Sequence, residues 1–192
     1  MPAGIKGVDV YHLDQVDSFH NLAAVGIAFI FIKASQGIDS KDPLHDEYSQ
    51  RATEAGLIRS SYHFFTPDDP LKQAAWFVEC AGNRTKTLPL ALDVETYFEG
   101  VGQAAAACAA ELKRLTGRYP IIYSSDSFYQ SYLKDFLPTD ATLWIARYGG
   151  MAPVTACQFF QFSESGTVAG ITGAADLDVF QGTLDELTAL VS

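Results

Sequence analysis

The stretch Leu90-Ala91-Leu92-Asp93-Val94-Glu95 sets two carboxylates at the end of an apolar run that follows Pro89. Such a run reads as a buried strand, where a charge is costly unless it is paired or used. Side chains alternate along a strand, so Asp93 and Glu95 are expected on one face, roughly 6.6 Å apart along the chain. Neighbouring carboxyls resist joint ionisation, which keeps one of them protonated towards neutral pH and suits general acid/base work. Both acids could equally serve as hydrogen-bond acceptors at a strand end, and Asp-x-Glu alone does not separate the two roles.

The elements around that stretch alternate. Residues 7–11, 27–34, 57–65, 89–95 and 120–124 read as strands, and residues 16–25, 43–55, 69–80 and 101–115 as the helices between them. Pro43 and Asp69-Pro70 mark helix starts; Gly26, Gly56 and Gly117 mark stops. After a short helix over 127–136 the rhythm changes. Residues 142–148, 157–163 and 175–180 are strand-like, but the Gly-, Pro- and Ser-containing loops between them are too short for covering helices. An amphipathic helix over 184–191 follows.

Repeated strand–helix units predict parallel strands with right-handed crossovers, and about eight strands in one domain predict closure into a barrel. The three helix-poor strands account for a chain of 192 residues where such barrels typically need about 250. An open doubly wound sheet would bring a glycine-rich phosphate turn after the first strand, and Asp9-Val10-Tyr11-His12 stands there instead. The fold expected is therefore α/β, a TIM-like barrel forming one domain over 1–192, with no separate second domain.

A net charge of −10 argues against a nucleic-acid or anionic-membrane partner, since a phosphate surface needs a basic footprint. Cys80, Cys108 and Cys157 are odd in number and widely spaced, which fits buried free thiols better than a zinc or redox motif. No cofactor motif is present, and the acids carry no histidine partners that would mark a metal site. Neither a leader pattern nor an apolar run of about 18 residues occurs, so the chain is expected to stay in the cytoplasm or to leave by a route that leaves no mark in the sequence. Oligomeric state is not legible.

In barrels of this kind the active site lies at the C-terminal ends of the strands. Those ends carry Asp9 and Tyr11, Lys33 and Ser35, Tyr62 to Phe64, Asp93 and Glu95, Tyr123, Arg147 and Tyr148, Gln161, and Asp176 with Asp178. Closure would bring the eighth strand beside the first, and so Asp176 near Asp9, with Asp93 and Glu95 on the opposite wall. An acidic cleft ringed by tyrosine and phenylalanine suits glycoside hydrolysis: one carboxylic acid protonates the leaving oxygen, another stabilises the oxocarbenium-like centre, and rings stack on sugar faces.

The pieces GVDVYHLDQ, FIFIKASQG, AGLIRSSYHFFTP, LPLALDVE, PIIYS, LWIARYG and QFSESGTVAGITGAADLDVF, in that order, resemble the glycoside hydrolase family 25 lysozymes, the Chalaropsis-type muramidases common among phage endolysins. The resemblance implies a modified (β/α)5(β)3 barrel. It also implies hydrolysis of the β-1,4 bond between N-acetylmuramic acid and N-acetylglucosamine in a peptidoglycan glycan strand, without cofactor or metal. By the same resemblance Glu95 is the general acid/base, Asp93 assists the substrate acetamido group in a net retaining reaction, and Asp9 and Asp176 are the other catalytic acids. Tyr11, Tyr62, Phe64, Tyr123, Tyr148, Gln161 and Asp178 are the candidate substrate-binding residues.

The chain departs from the family pattern at Tyr11, where serine is usual, at Phe160-Gln161-Phe162, where W-Q-Y is common, and at Asp178, where asparagine is usual. These read as changes in subsite contacts. Elsewhere the plainer expectation is structural: a hydrogen-bonding role for His63, helix surfaces for His20 and His45, helix packing for Trp76 and core for Trp144. Lys33 is expected to pair with a buried aspartate, and His12 is left open. Two other functions stay in view, an inactive glycan-binding module on the same barrel and a metal-dependent hydrolase built on the acidic cluster.

Overall fold

The apolar and β-branched runs pair into one closed sheet. The computed structural model describes residues 2–83 and 85–191. Its barrel strands are β1 (Ile5–Val10), β2 (Ile27–Gln36), β3 (Ile58–Phe64), β4 (Ala91–Asp93), β5 (Ile121–Ser125), β6 (Leu143–Ala146), β7 (Phe159–Gly166) and β8 (Ala175–Phe180). Each pairs with the next in sequence, and β1 closes the ring by pairing with both β2 and β8. Two short pairings decorate the rim, Ser40–Lys41 on β2 and Gln15–Val16 with Ile171–Thr172.

The helices are α1 (Phe19–Ala24), α2 (His45–Glu54), α3 (Pro70–Ala81), α4 (Val101–Thr116), α5 (Asp126–Phe128) and α6 (Leu184–Ala189). The helix expected over 127–136 is instead the single turn of α5 running into a π-helical turn, Tyr129–Leu133. The α3 start is fixed as its residues demand: Asp69 accepts from the backbone N–H groups of Leu71 and Lys72, and Pro70, which has no N–H to lose, takes the first position. Thr183 and Glu186 form a reciprocal capping box at α6.

One topological expectation fails. Strands β1 to β7 are parallel, but β8 runs antiparallel to both β7 and β1. The β6–β7 connection, residues 147–158, is long enough to return the chain to the same end of the barrel without a helix. The β7–β8 connection, residues 167–174, is not, because a parallel crossover needs a dozen or more residues. The consequence is functional: the start of β8, not its end, lies at the rim where the other strands finish. Asp176 therefore stands directly across from Asp9 in the ladder.

Three apolar clusters hold the barrel. Phe29, Phe31, Trp144, Phe159 and Phe180 fill the lumen, with the Phe31 and Trp144 rings stacked 4.1 Å apart. Gly7 makes room for that filling, since a Cβ there would lie 2.2 Å from the Phe29 ring. Helices α3 and α4 cover the outer face of the sheet through residues such as Phe77, Cys108 and Leu112, and α1 and α2 cover it beside β1 and β2 through Leu22, Tyr48 and Ala52. Burying each of the leucine and phenylalanine side chains among them contributes about 1.5–3 kcal/mol. Cys80 and Cys108 are buried and Cys157 half-buried, all as free thiols. His20 is exposed as expected, but His45 is not at the surface: it is 2 % exposed, with Nε2 2.8 Å from Ser61 Oγ. Among the described residues no helix is long and apolar enough to cross a membrane.

Candidate active site

A cleft of about 550 Å³ opens at the rim where β1 to β7 end and β8 begins. Trp144 and Tyr62, both rooted in the lumen, form part of its lining, so Trp144 is core and cleft surface at once. A second cavity of about 630 Å³ shares Glu95, Tyr123, Tyr148 and Glu164 with the first, so the two form one elongated groove.

The β4 wall carries Asp93 and Glu95, but the strand is shorter than expected. It ends at Asp93, and beyond it the pairing continues in the Phe65 N–H bond to the Asp93 carbonyl and the Val94 N–H bond to the Tyr123 carbonyl. Glu95 therefore reaches the groove from the loop beyond the strand, and strand alternation is not what brings it beside Asp93. Asp93 is buried, and its Oδ1 has no hydrogen-bond partner among the described residues. Burial, and then the Glu95 charge, push its pKa well above the usual carboxylate value, against the pull of Lys33. Glu95 is exposed at the open part of the groove, yet the protein around it removes enough solvation to raise its pKa as well.

Lys33 is the cation of this wall, and it does not pair with an aspartate as expected. Its Nζ donates to Gln36 Oε1 at 3.1 Å and lies 5.1 Å from the centre of the Phe64 ring and 5.8 Å from that of Tyr11. Within β2 a register shift between Lys33 and Ser35 makes Ala34 the extra residue of a bulge. The bulge separates two residues that an unbroken strand would present on one face. Lys33 points into the cleft, while Ser35 turns away and meets His63 Nδ1 at 2.8 Å. His63 is completely buried, stacked on Phe77 and held at Nε2 by Gln73, and burial lowers its pKa to about 4. It is a structural histidine, outside the cleft. His12 lies at the rim with Nδ1 2.8 Å from Asp42 Oδ2.

The opposite wall is a hydrogen-bonded network. The Tyr123 and Tyr148 hydroxyls both donate to Gln161 Oε1, at 2.8 and 2.6 Å, and Gln161 Nε2 donates to Asp9 Oδ2 at 2.6 Å. Beneath them Trp144 Nε1 donates to Asp178 Oδ1 at 2.7 Å. Burial first, then Asp178 and Asp176, raise the Asp9 pKa well above normal; burial and Asp14 push Asp176 up to about 6, and burial pushes Asp178 up to about 7. Burial keeps Tyr62 and Tyr123 protonated, hence donors, at any pH the fold would meet.

Ten of the eleven residues singled out from the sequence line the cleft: Asp9, Tyr11, Tyr62, Phe64, Asp93, Glu95, Tyr123, Tyr148, Gln161 and Asp176. Asp178 does not; it lies under the floor, 1 % exposed. Asp14 and Glu164 were missed, although both line the cleft. Asp14 sits in a turn, where its Oδ2 accepts from the Tyr11 N–H at 2.8 Å, and Glu164 follows the apolar part of β7, so neither breaks an apolar pattern. Arg147 turns to Asp126, 3.0 Å from Nη1 to Oδ2, and borders the second cavity. Among the described residues no group of three histidine, cysteine, aspartate or glutamate side chains is arranged to hold a metal ion. What the groove can do is transfer a proton from Glu95 to a bound oxygen, offer Asp93 to a donor of the ligand, and hold sugar faces against its rings.

The family model described as Glycosyl hydrolases family 25 matches residues 8–171. Among curated proteins, the uncharacterized protein YegX of Escherichia coli K12 is 31% identical over 200 residues, covering 97% of this chain and 73% of that protein. The autolytic lysozyme of Clostridium acetobutylicum is 29% identical over 92% of this chain, which spans 56% of the relative's length. Among solved structures, the lysozyme of Streptomyces coelicolor superimposes with a TM-score of 0.92 at 27% identity, over 99% of this chain and 98% of that one.

Proposed function

The chain belongs to glycosyl hydrolase family 25, and on that premise we propose that it is a lysozyme that hydrolyses the β-1,4 bond between N-acetylmuramic acid and N-acetylglucosamine in peptidoglycan. The observation that carries the reading is the β4 wall. A water-accessible Glu95 with a raised pKa stands beside a buried Asp93 whose Oδ1 awaits a donor. A glycan strand also fits the elongated groove better than a small ligand would.

In the proposed reaction the acetamido N–H of the N-acetylmuramic acid donates to Asp93, which increases electron density on the acetamido oxygen. That oxygen attacks the anomeric carbon as Glu95 gives its proton to the departing glycosidic oxygen. The products of this step are a cyclic oxazolinium and a free N-acetylglucosamine end. Glu95, now a carboxylate, takes a proton from water, whose oxygen reopens the ring from the opposite face. Two inversions give net retention. Binding of the N–H favours the ionised form of Asp93 and so offsets its burial. Asp9 and Asp176 supply negative potential across from the oxocarbenium-like centre, and Tyr11, Phe64 and Tyr148 present ring faces and hydroxyls to the sugars.

Digestion of purified peptidoglycan followed by mass analysis of the new ends tests the reaction. Reducing N-acetylmuramic acid ends are expected. Reducing N-acetylglucosamine ends, anhydro ends or freed peptides would each assign the protein a different activity. Proton NMR of the first product formed should show the β-anomer, and an initial α-anomer would exclude retention.

A further inference from the structure

Asp178 is a residue that the proposed reaction does not use. It projects into the lumen from β8 beneath the cleft floor, 1 % exposed, with Oδ1 held by Trp144 Nε1 at 2.7 Å. Its Oδ2 is buried and meets no N–H or O–H donor among the described residues. The neighbour within hydrogen-bonding reach is Asp9, itself buried and bound through Oδ2 to Gln161. Two ionised carboxylates have no donor between them, and burial leaves Asp178 Oδ2 no other donor among the described residues. One proton between them removes both difficulties, as in other buried carboxyl pairs.

We propose that Asp178 is a positioning residue that holds Asp9 through one shared proton, so that the pair carries a single negative charge. The inference takes the lysozyme reading as given for its effect on activity, but the shared proton itself does not depend on it. Fixed in this way, Asp9 anchors Gln161, and Gln161 anchors the Tyr123 and Tyr148 hydroxyls. One proton thus decides the shape of the whole wall opposite Glu95. The upward displacement of both carboxyl pKa values agrees with it.

Other charged or titratable groups face the pair. Asp176 lies on the same strand, Tyr62 comes from β3, and Tyr123 and Tyr148 from the β5 and β6 side. Asp93 and Glu95 stand on the far wall with Lys33 between the two sides. Apart from Lys33 these groups are acids or phenols, so the surroundings favour keeping the proton.

The test uses the whole chain and the isosteric variant Asp178→Asn, whose amide oxygen still accepts from Trp144 and whose NH2 donates to an ionised Asp9 with no shared proton. Infrared difference spectra between parent and variant at pH 6 should show a protonated-carboxyl carbonyl band worth one group in the parent and absent from the variant. The alkaline limb of kcat/KM, falling about 100-fold per pH unit in the parent as both this proton and that of Glu95 are lost, should fall about tenfold in the variant. An unchanged carboxyl band would overturn the shared proton. A lost band with an unchanged limb would overturn the positioning role. If the protein proves to have no muramidase activity at all, the lysozyme reading fails, while the infrared comparison still decides the pair.

Discussion

The two walls of the groove use the same residue type in opposite ways. On the β4 wall, Asp93 Oδ1 has no partner among the described residues, and Glu95 stands at the open mouth, where the charge of Lys33 favours its ionised form. On the β1–β8 wall, Asp9 and Asp178 are tied into a chain of hydrogen bonds through Gln161, Tyr123, Tyr148 and Trp144. A carboxyl that must exchange a proton with substrate needs free valence and water. One that must shape a charged wall needs the reverse, since buried polar groups are costly unless satisfied. Position at the rim separates the roles: Glu95 lies beyond its strand, whereas Asp9 and Asp178 lie within theirs.

The comparison can be broken at several points. The largest effect should come from Glu95→Gln, which removes the only proton assigned to the leaving group: muramidase activity should fall by about 10²–10⁴-fold with an unchanged melting temperature. Retention of most activity would move the acid to the other wall. Asp93→Asn should cost about 10²-fold in kcat, because the amide no longer accepts fully from the acetamido N–H; steady-state kinetics on purified glycan strands would show it. Gln161→Leu should act mainly on stability. It strips the Tyr123 and Tyr148 hydroxyls and Asp9 Oδ2 of a partner, at about 1–3 kcal/mol for each group left unsatisfied, and denaturant unfolding would measure the loss.

A smaller effect concerns pH. Asp176, at about 6, and Asp178, at about 7, both sit above their unfolded value of 3.8. The native state therefore binds more protons than the unfolded one between about pH 4 and 7, and the stability these groups contribute is complete below that window and lost as pH rises through it. Melting temperature should fall from pH 5 to pH 8, and Asp178→Asn should flatten that slope. The smallest effect should be that of Lys33→Met. It withdraws the positive charge that lowers the Asp93 and Glu95 pKa values, so the alkaline limb of activity should move upward; no movement would show that the cation serves the ligand rather than the acids.

Legibility followed local signal. The alternation of apolar runs with proline- and glycine-bounded helices marked all eight barrel strands, and α3 and α4 within one residue at each end. A strand reading also marked Asp93, because a charge in an apolar run is costly unless it is paired or used. Lys33, His45 and Asp178 were harder. The partner of Lys33 depends on a one-residue bulge, and the burial of His45 goes with a polar partner, Ser61, on a distant strand, β3. Asp178 falls below the floor rather than in the cleft because β8 runs the other way. Asp14 and Glu164 lie in polar surroundings, where an acid attracts no notice.

The sequence by itself determined the ring of strands, the rim on which β1 to β7 end and the identity of the acids gathered there, since hydrophobic period and helix punctuation are local properties of the chain. Only the tertiary structure decided what each acid is. The reversed β8 sets Asp176 opposite Asp9 and Asp178 beneath it, and closure of the sheet removes water from some carboxyls and leaves it to Glu95. Solvation and the nearest donor fix the charge of a carboxyl, and both come from distant segments, as between Asp9 and Gln161, 152 residues apart in the chain.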